Sequence, residues 1–175
     1  MPGYNDAAIT AASEADIPAL IALLNSAYRG DAARQGWTHE ADLIAGEQRT
    51  DADELSEKLA KGTMLVYKQR GGDIDACVYL EPKADELYLG MLSVRPSLQG
   101  SGLGKILLKV AEEHARNSAC LAIVMTVISV RTELLEWYQR LGYQETGDEE
   151  PFPDDPRFGE PTQPLTFKWL RKVLK

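Results

Sequence analysis

The chain has 175 residues, which is the usual size of one domain with a single large core. Its composition, with 44% hydrophobic and 26% charged residues, is typical of globular proteins and excludes collagen, a coiled coil and a disordered tail. The 19 basic and 27 acidic residues give a net charge of −8, whose field repels phosphate backbones and anionic lipids, so we expect no nucleic acid and no membrane as partners.

The first half of the chain predicts a strand, a helix and a β-hairpin. Residues 7–12 form a short apolar run, and the capping box at 13–16 predicts a helix that ends near residues 28–30. The polar segment 31–61 has weak helical patterns at 40–46 and 51–61, and we expect it to cover another part of the protein. Two β-rich runs flank a Gly-Gly pair and predict the hairpin: residues 63–67 and 74–80.

The second half predicts two more helices between strands. A strand over 86–94 precedes an amphipathic helix over 102–117, and a buried strand over 119–128 follows that helix. A helix over 131–141 ends at Gly142, since glycine readily adopts the left-handed conformation of a helix end. Residues 143–146 and 165–170 are the last two predicted strands. This order predicts a single α/β domain over residues 1–175.

Neither a membrane segment nor a metal site is expected. The longest apolar run, residues 119–128, has about half the length of a transmembrane helix, and residues 1–10 lack the order of a signal peptide. We therefore expect a cytoplasmic protein. Cys77 and Cys120 lie in apolar runs with no Cys or His at metal-ligand spacing, which predicts buried free thiols.

A glycine-rich turn opens the helix over 102–117. Three alternating glycines allow close approach of a ligand to the backbone, and the N–H groups of a helix start point at such a ligand with the positive end of the dipole: Gly100, Gly102 and Gly104. This predicts a cradle for phosphate or pyrophosphate, and a plain helix-initiating turn is the alternative. The dinucleotide fingerprint would need glycine at Lys105, and the P-loop would need glycine at Gln99 and Ser or Thr at Ile106. Both motifs are therefore excluded.

The turn resembles the signature Gln/Arg-x-x-Gly-x-Gly/Ala of the GNAT superfamily of acetyl-CoA-dependent N-acetyltransferases, with Gln99, Gly102 and Gly104 at its positions. Residues 138–143 are similar to the family's Tyr-x-x-x-Gly-Phe/Tyr pattern, and the resemblance covers residues 6–172. It implies a GNAT-like α/β domain with flanking helices and a mixed, mostly antiparallel sheet of six to seven strands. The family's fourth and fifth strands, here 86–94 and 120–128, splay apart, and the pantetheine arm lies between them like an added strand.

The resemblance implies that acetyl-CoA is the co-substrate and that no metal is required. It assigns the cofactor site to the strand end, the turn and one later arginine: Leu92, Ser93, Val94, Gln99, Gly100, Ser101, Gly102, Leu103, Gly104, Lys105 and Arg131. Many members of the family have Asn where this chain has Arg131, so the sequence departs from the family at that end of the cofactor.

Two catalytic residues are predicted. Tyr138 stands where the family carries a tyrosine that protonates the departing thiolate, and core packing on one face with Leu134 and Leu141 is the alternative. The acceptor amine must lose a proton, and Glu86 is the candidate base because period-two alternation places it on the same strand face as Leu92. An exposed carboxylate at a strand start is the alternative. By resemblance, a backbone N–H near Leu92 stabilises the thioester oxygen.

The acceptor itself is not identified. Acid-rich segments at 40–57 and 148–160 border the acceptor site in this family and suit a cationic amine, although solvated acidic surface is the commoner meaning of such runs. Three other residues are instead candidates to hold an acceptor carboxylate: Arg29, Trp37 and Arg49. A small-molecule amine and a protein N-terminus or lysine both stay open as acceptors, as do monomer and homodimer.

Together with the glycine turn, the resemblance implies an N-acetyltransferase that moves an acetyl group from acetyl-CoA to an amine by direct transfer in a ternary complex. Two functions of other classes compete with it. A non-catalytic acyl-CoA-binding or sensing module would keep the cradle without turnover. A nucleotide-binding protein would use the same cradle for ATP or NAD.

Overall fold

The computed structural model describes residues 8–28, 44–45, 50–68, 72–152 and 160–174. The α-helices of these ranges are α1 (Ile17–Tyr28), α2 (Ala52–Lys61), α3 (Leu103–Asn117) and α4 (Thr132–Arg140). The strands are β1 (Ile9–Ala11), β2 (Ile44–Ala45), β3 (Thr63–Lys68), β4 (Ile74–Lys83), β5 (Glu86–Val94), β6 (Ala122–Ile128), β7 (Gln144–Pro151), β8 (Glu160–Pro161) and β9 (Thr166–Val173). No described helix is both long and apolar enough to cross a membrane.

Seven strands form one sheet in the order β1-β3-β4-β5-β6-β9-β7, and β2 pairs with β8 in a separate two-stranded sheet. Neighbouring strands of the large sheet are antiparallel except β5 and β6, which are parallel. This confirms the predicted α/β fold with a mixed, mostly antiparallel sheet and flanking helices. The two-stranded sheet was not predicted: the sequence indicated a weak helical pattern over 40–46, whereas residues 44–45 form β2. Strands of two residues have no detectable period.

Helices cover both faces of the large sheet. On one face, Leu103 and Leu107 of α3 and Leu135 of α4 join a core with strand residues such as Leu89. On the other face, Leu20 and Leu24 of α1 and Leu55 of α2 form a second core. We call these the α3/α4 face and the α1 face. As predicted, both cysteines are buried.

The two parallel strands separate after three residue pairs. Their pairing runs from Glu86 opposite Ala122 to Tyr88 opposite Val124. Beyond that point β6 stays paired with β9 as far as Ile128, while β5 stays paired with β4. The predicted splay between the family's fourth and fifth strands is therefore confirmed, and it opens a gap in the sheet, which we call the fork.

A β-bulge in β5 reverses the side-chain alternation at the fork. Cys77 of β4 pairs with Ser93, but Tyr79 pairs with Gly90, so β5 contains one extra residue there. Met91 lies at the bulge with a φ of +54° and packs in the core of the α1 face. The next residue, Leu92, packs against the core of the α3/α4 face. Because an extra residue moves the following side chains to the opposite face, the expectation that Glu86 and Leu92 share a face is wrong.

Candidate active site

The turn between β5 and α3 is held by the protein's own hydrogen bonds. The Gln99 side-chain amide donates to the carbonyl of Val94 over 3.0 Å. Arg95 donates from its backbone N–H to the carbonyl of Asp75 (2.7 Å) and from its guanidinium Nε to the Asp75 carboxylate (2.9 Å). Since Asp75 is buried in β4, these bonds tie the turn to the sheet.

Two glycines of this turn have backbone conformations that favour glycine. The φ angles are +84° at Gly100 and +93° at Gly102, in the left-handed region. A Cβ built on either residue would meet no atom of the described structure within 4 Å. A Cβ on Gly104 would meet the Trp137 side chain at 3.6 Å, which is ordinary contact. Within the described ranges of the chain, the space in front of Gly100 and Gly102 is therefore open.

The first turn of α3 presents backbone donors to this open space. The earliest intrahelical bond runs from the N–H of Ile106 to the carbonyl of Gly102, so the N–H groups of residues 103–105 have no partner within the helix. The first turn contains no acidic residue, and Gly102 supplies no capping side chain. Among the described residues, the hydroxyl of Ser101 is buried without a hydrogen-bond partner. Such a cluster of donors suits an anion with several acceptor oxygens.

A cleft of about 320 Å³ adjoins the turn on the α3/α4 face. Its lining residues come from β5, the turn, the start of α3 and the start and middle of α4: Leu92, Val94, Leu98, Gln99, Gly100, Gly102, Leu103, Gly104, Lys105, Arg131, Leu134, Trp137 and Tyr138. Of these, Lys105 and Arg131 carry positive charge, and none carries a carboxylate. The cleft therefore favours a ligand with an anionic end and an apolar remainder, although the chain has a net charge of −8.

Tyr138 both lines the cleft and packs in the core. It is only 5% exposed, and its ring makes edge contacts with Trp137 (5.0 Å between centroids) and Tyr143 (5.8 Å). The Tyr143 hydroxyl donates to Glu112 over 3.3 Å, and burial together with that carboxylate raises the pKa of Tyr143 far above its ordinary value. Glu112 also accepts from Lys172 over 3.0 Å. These contacts therefore fix the position of the Tyr138 ring.

Residues 20–143 match the family model described as Acetyltransferase (GNAT) family. The chain belongs to the GNAT family. No curated protein matches the sequence.

Solved structures share this GNAT fold. A ribosomal-protein-alanine N-acetyltransferase from Brucella melitensis is 21% identical, with a TM-score of 0.69 over 95% of this chain and 99% of its own. The structure of yncA from Salmonella typhimurium with its cofactor acetyl-CoA is 20% identical, with a TM-score of 0.64 over 95% and 93%. For nourseothricin acetyltransferase, the structural alignment covers 66% of this chain and 66% of that protein, with 18% identity and a TM-score of 0.56.

The cleft of this GNAT domain fits the chemistry of CoA. The backbone donors of residues 103–105 and the charge of Lys105 suit a pyrophosphate, and the buried Ser101 hydroxyl lies next to this turn in the chain without lining the cleft. The apolar side chains of Leu92, Val94 and Leu134 suit a flexible thiol-bearing arm that leads towards Tyr138. Nine of the eleven residues that the sequence assigned to the cofactor line this cavity, and Ser93 and Ser101 do not.

Several predicted residues lie elsewhere. Ser93 is buried in the bulge, where its hydroxyl donates to the carbonyl of Met91 over 3.2 Å. Glu86 is ion-paired with Arg171 of β9 at the closed end of the fork. The six residue steps from Glu86 to Leu92 span about 20 Å of extended strand. The structure therefore does not bring Glu86 to the cleft. Three residues predicted for the acceptor lie outside the described residues: Arg29, Trp37 and Arg49.

Three lining residues were missed in the sequence: Leu98, Leu134 and Trp137. Leu134 lies one helical turn before Tyr138, so helical spacing could have found it. Trp137 carries no such signal. Its indole reaches the cleft because α4 packs beside the first turn of α3, near Gly104.

Proposed function

We propose that this GNAT protein is an N-acetyltransferase that transfers an acetyl group from acetyl-CoA to an amine directly, within a ternary complex. The observation that carries the proposal is the position of the cleft. The glycine turn and the first turn of α3, whose N–H groups have no partner within the helix, adjoin it, and Leu92 and Val94 on the β5 side of the fork line it. Acetyl-CoA would supply the acetyl group as a thioester, and the products would be an amide and free CoA.

The turn and α3 would bind the anionic end of the co-substrate. Backbone N–H groups of residues 103–105 and the Ser101 hydroxyl would donate to phosphate oxygens. Lys105 would add its charge at the start of α3, and Arg131 would add a second charge at the start of α4. These charges counteract the repulsion that a chain with a net charge of −8 exerts on an anion.

The fork would orient the reacting end. Beyond Tyr88, the edges of β5 and β6 diverge, and an extended arm can lie between them like an added strand. Leu92 lies on this stretch and lines the cleft. As the family resemblance implies, a backbone N–H near Leu92 would donate to the thioester oxygen, where negative charge develops.

Tyr138 would act as the general acid that protonates the departing sulfur. As the new carbon–nitrogen bond forms and the carbon–sulfur bond breaks, the Tyr138 hydroxyl would give its proton to the thiolate, and the amine nitrogen would lose a proton to solvent or a base. The packing of Tyr138 against Trp137 and Tyr143 keeps its ring in place for that transfer. A fixed donor needs little reorganisation during the reaction.

Two measurements on the purified protein test this function. Acetyl-CoA at a hundred times its dissociation constant is expected to stabilise the fold by about 2.7 kcal/mol, whereas ATP and NAD at equal concentration should not shift the melting temperature. Release of free CoA thiol with a panel of primary amines is expected to follow. Binding without turnover would support the acyl-CoA module instead, and a shift with NAD but none with CoA would support the nucleotide-binding alternative.

A further inference from the structure

The α1 face of the fork carries a pair of aromatic side chains. Tyr88 of β5 and Trp169 of β9 make an edge contact with 6.2 Å between ring centroids and an interplanar angle of 60°. Tyr88 pairs with Val124, and Trp169 pairs with Thr126, so the two rings meet above β6. Both side chains are partly exposed. The pair therefore lies where the parallel pairing of β5 and β6 ends.

This pair lies on the face opposite the cleft. Leu87 and Leu89 pack on the α3/α4 face, so strand alternation directs Tyr88 to the α1 face, where it packs against that core. Leu92 and Val94 return to the α3/α4 face because of the bulge. If acetyl-CoA fills the cleft on one face, an amine can reach the thioester through the fork from the other.

The phenol of Tyr88 points along β5 towards the fork. A Cβ built on Gly90 would lie 3.0 Å from both the hydroxyl oxygen and one ring carbon of Tyr88. The ring therefore lies over Gly90, just beyond the last β5–β6 residue pair. Any larger residue at position 90 would push this ring away.

Two basic side chains near the pair, within the part of the chain that the structure describes, are each held by a carboxylate. Arg171 is ion-paired with Glu86, and the Lys83 ammonium lies 3.5 Å from the Glu81 carboxylate. The same Lys83 ammonium lies 5.2 Å from the centroid of the Tyr88 ring, so this aromatic surface already attracts one alkylammonium group of the protein itself. An aromatic face attracts ammonium through its quadrupole, and Trp does so best.

We propose that Tyr88 and Trp169 form the acceptor site of the transferase and that the acceptor is a primary amine that arrives as an ammonium ion. The ammonium rests against the indole of Trp169, and the Tyr88 hydroxyl accepts a hydrogen bond from it at the mouth of the fork. A primary alkylamine is almost fully protonated at neutral pH, so this class needs a site that binds the cation before the proton leaves. The inference rests on the proposed function.

The test measures binding to the full chain saturated with CoA. Calorimetric titration uses spermidine and tyramine, which are cations at pH 7.5, and aniline, which is neutral there. Trp169→Leu is expected to weaken binding of the cations about ten-fold and that of aniline much less, while Trp169→Phe keeps most of the affinity. Tyr88→Phe, which keeps the ring, is expected to weaken binding of the cations by a smaller factor.

Trp137→Leu is the matched variant on the other face. It is expected to weaken binding of acetyl-CoA and leave the affinity for the cations nearly unchanged, which is the opposite of Trp169→Leu. Circular dichroism and melting temperatures confirm that each variant folds. For any amine that is acetylated, Trp169→Leu should raise the steady-state KM of the amine, and Trp137→Leu should raise that of acetyl-CoA.

Each contrary result overturns the inference. The inference is wrong if the wild type and a folded Trp169→Leu variant bind the cations with equal affinity. It is also wrong if the wild-type protein binds CoA but binds none of the cations. A larger loss for aniline than for the cations would show stacking of a neutral ring instead. Failure of the proposed function is a separate outcome, since it appears as absent acetyl-CoA binding or absent thiol release in the wild type.

Discussion

The two faces of the sheet at the fork are built in different ways. On the α3/α4 face, most groups of the cleft come from one continuous run, residues 92–105, and from α4. On the α1 face, Tyr88 and Trp169 come from β5 and β9 and meet only because β6 lies between those strands. A site of backbone donors follows from local sequence, whereas a site of side-chain faces depends on which strands become neighbours.

The bulge in β5 makes this division possible. With regular alternation, Tyr88 and Leu92 would lie on the same face of the sheet. The extra residue, with Met91 at a φ of +54°, leaves Tyr88 on the α1 face and moves Leu92 to the cleft. One strand therefore serves both faces.

The largest expected effect is on the α3/α4 face, with Gly102→Val. A β-branched residue at a φ of +93° is strained by about 1–2 kcal/mol, so the turn should change its path and CoA binding should fall below detection. Gly72→Val is the matched control, because Gly72 has the same φ and, among the described residues, also nothing within 4 Å of an added Cβ. It should lose similar stability and keep CoA affinity. CoA titration measures the affinity of each variant, and circular dichroism checks that it is folded. Unchanged CoA affinity in a folded Gly102→Val variant would refute the assignment of the glycine turn as the phosphate-binding site.

Tyr138→Phe is expected to lower turnover by about 10²-fold or less, because a thiolate leaves fairly readily even without an acid. Acetyl-CoA affinity should stay nearly constant, since the proton is needed only as the carbon–sulfur bond breaks. The ring and its contacts with Trp137 and Tyr143 are kept, so the melting temperature should change little. Wild-type turnover in a variant whose chemical step is rate-limiting would make Tyr138 a packing residue.

Ser101→Ala is expected to weaken CoA binding about ten-fold, through loss of one hydrogen bond to a charged phosphate. The free protein should be equally stable or more stable, because the buried hydroxyl has no partner among the described residues. Thermal melts with and without CoA measure both effects. A variant that melts at a lower temperature and binds CoA normally would contradict the assignment.

Glu86→Gln should have the smallest effect and separates the closed end of the fork from its open end. The ion pair with Arg171 is partly exposed, so its loss should cost less than about 1 kcal/mol. Because Glu86 is held by Arg171 and does not line the cleft, turnover should change less than two-fold. A loss of 10² or more in kcat with unchanged stability would instead establish Glu86 as the general base.

Much of the cleft could be predicted because its determinants are local. Gly100 and Gly102, which the sequence predicted as positions of close ligand approach, line the cleft and have left-handed φ angles, and α3 begins directly after them. The predicted end of α4 is also close, since Gly142 has a φ of +99° just beyond it. In each case a few consecutive residues decide the backbone conformation by their own steric limits.

The sequence by itself determined the order along the chain of the α-helices and of the strands in the large sheet, the glycine turn at the start of α3 and the place of Tyr138 in α4. Periodicity and backbone sterics, which decide these features, act within a few residues. Only the tertiary structure decided three other features. These are the reversal of faces at Met91, the pairing of Glu86 with Arg171, and the contact of Tyr88 with Trp169. All three depend on strand register and on distant strands becoming neighbours, which one residue of slippage would change.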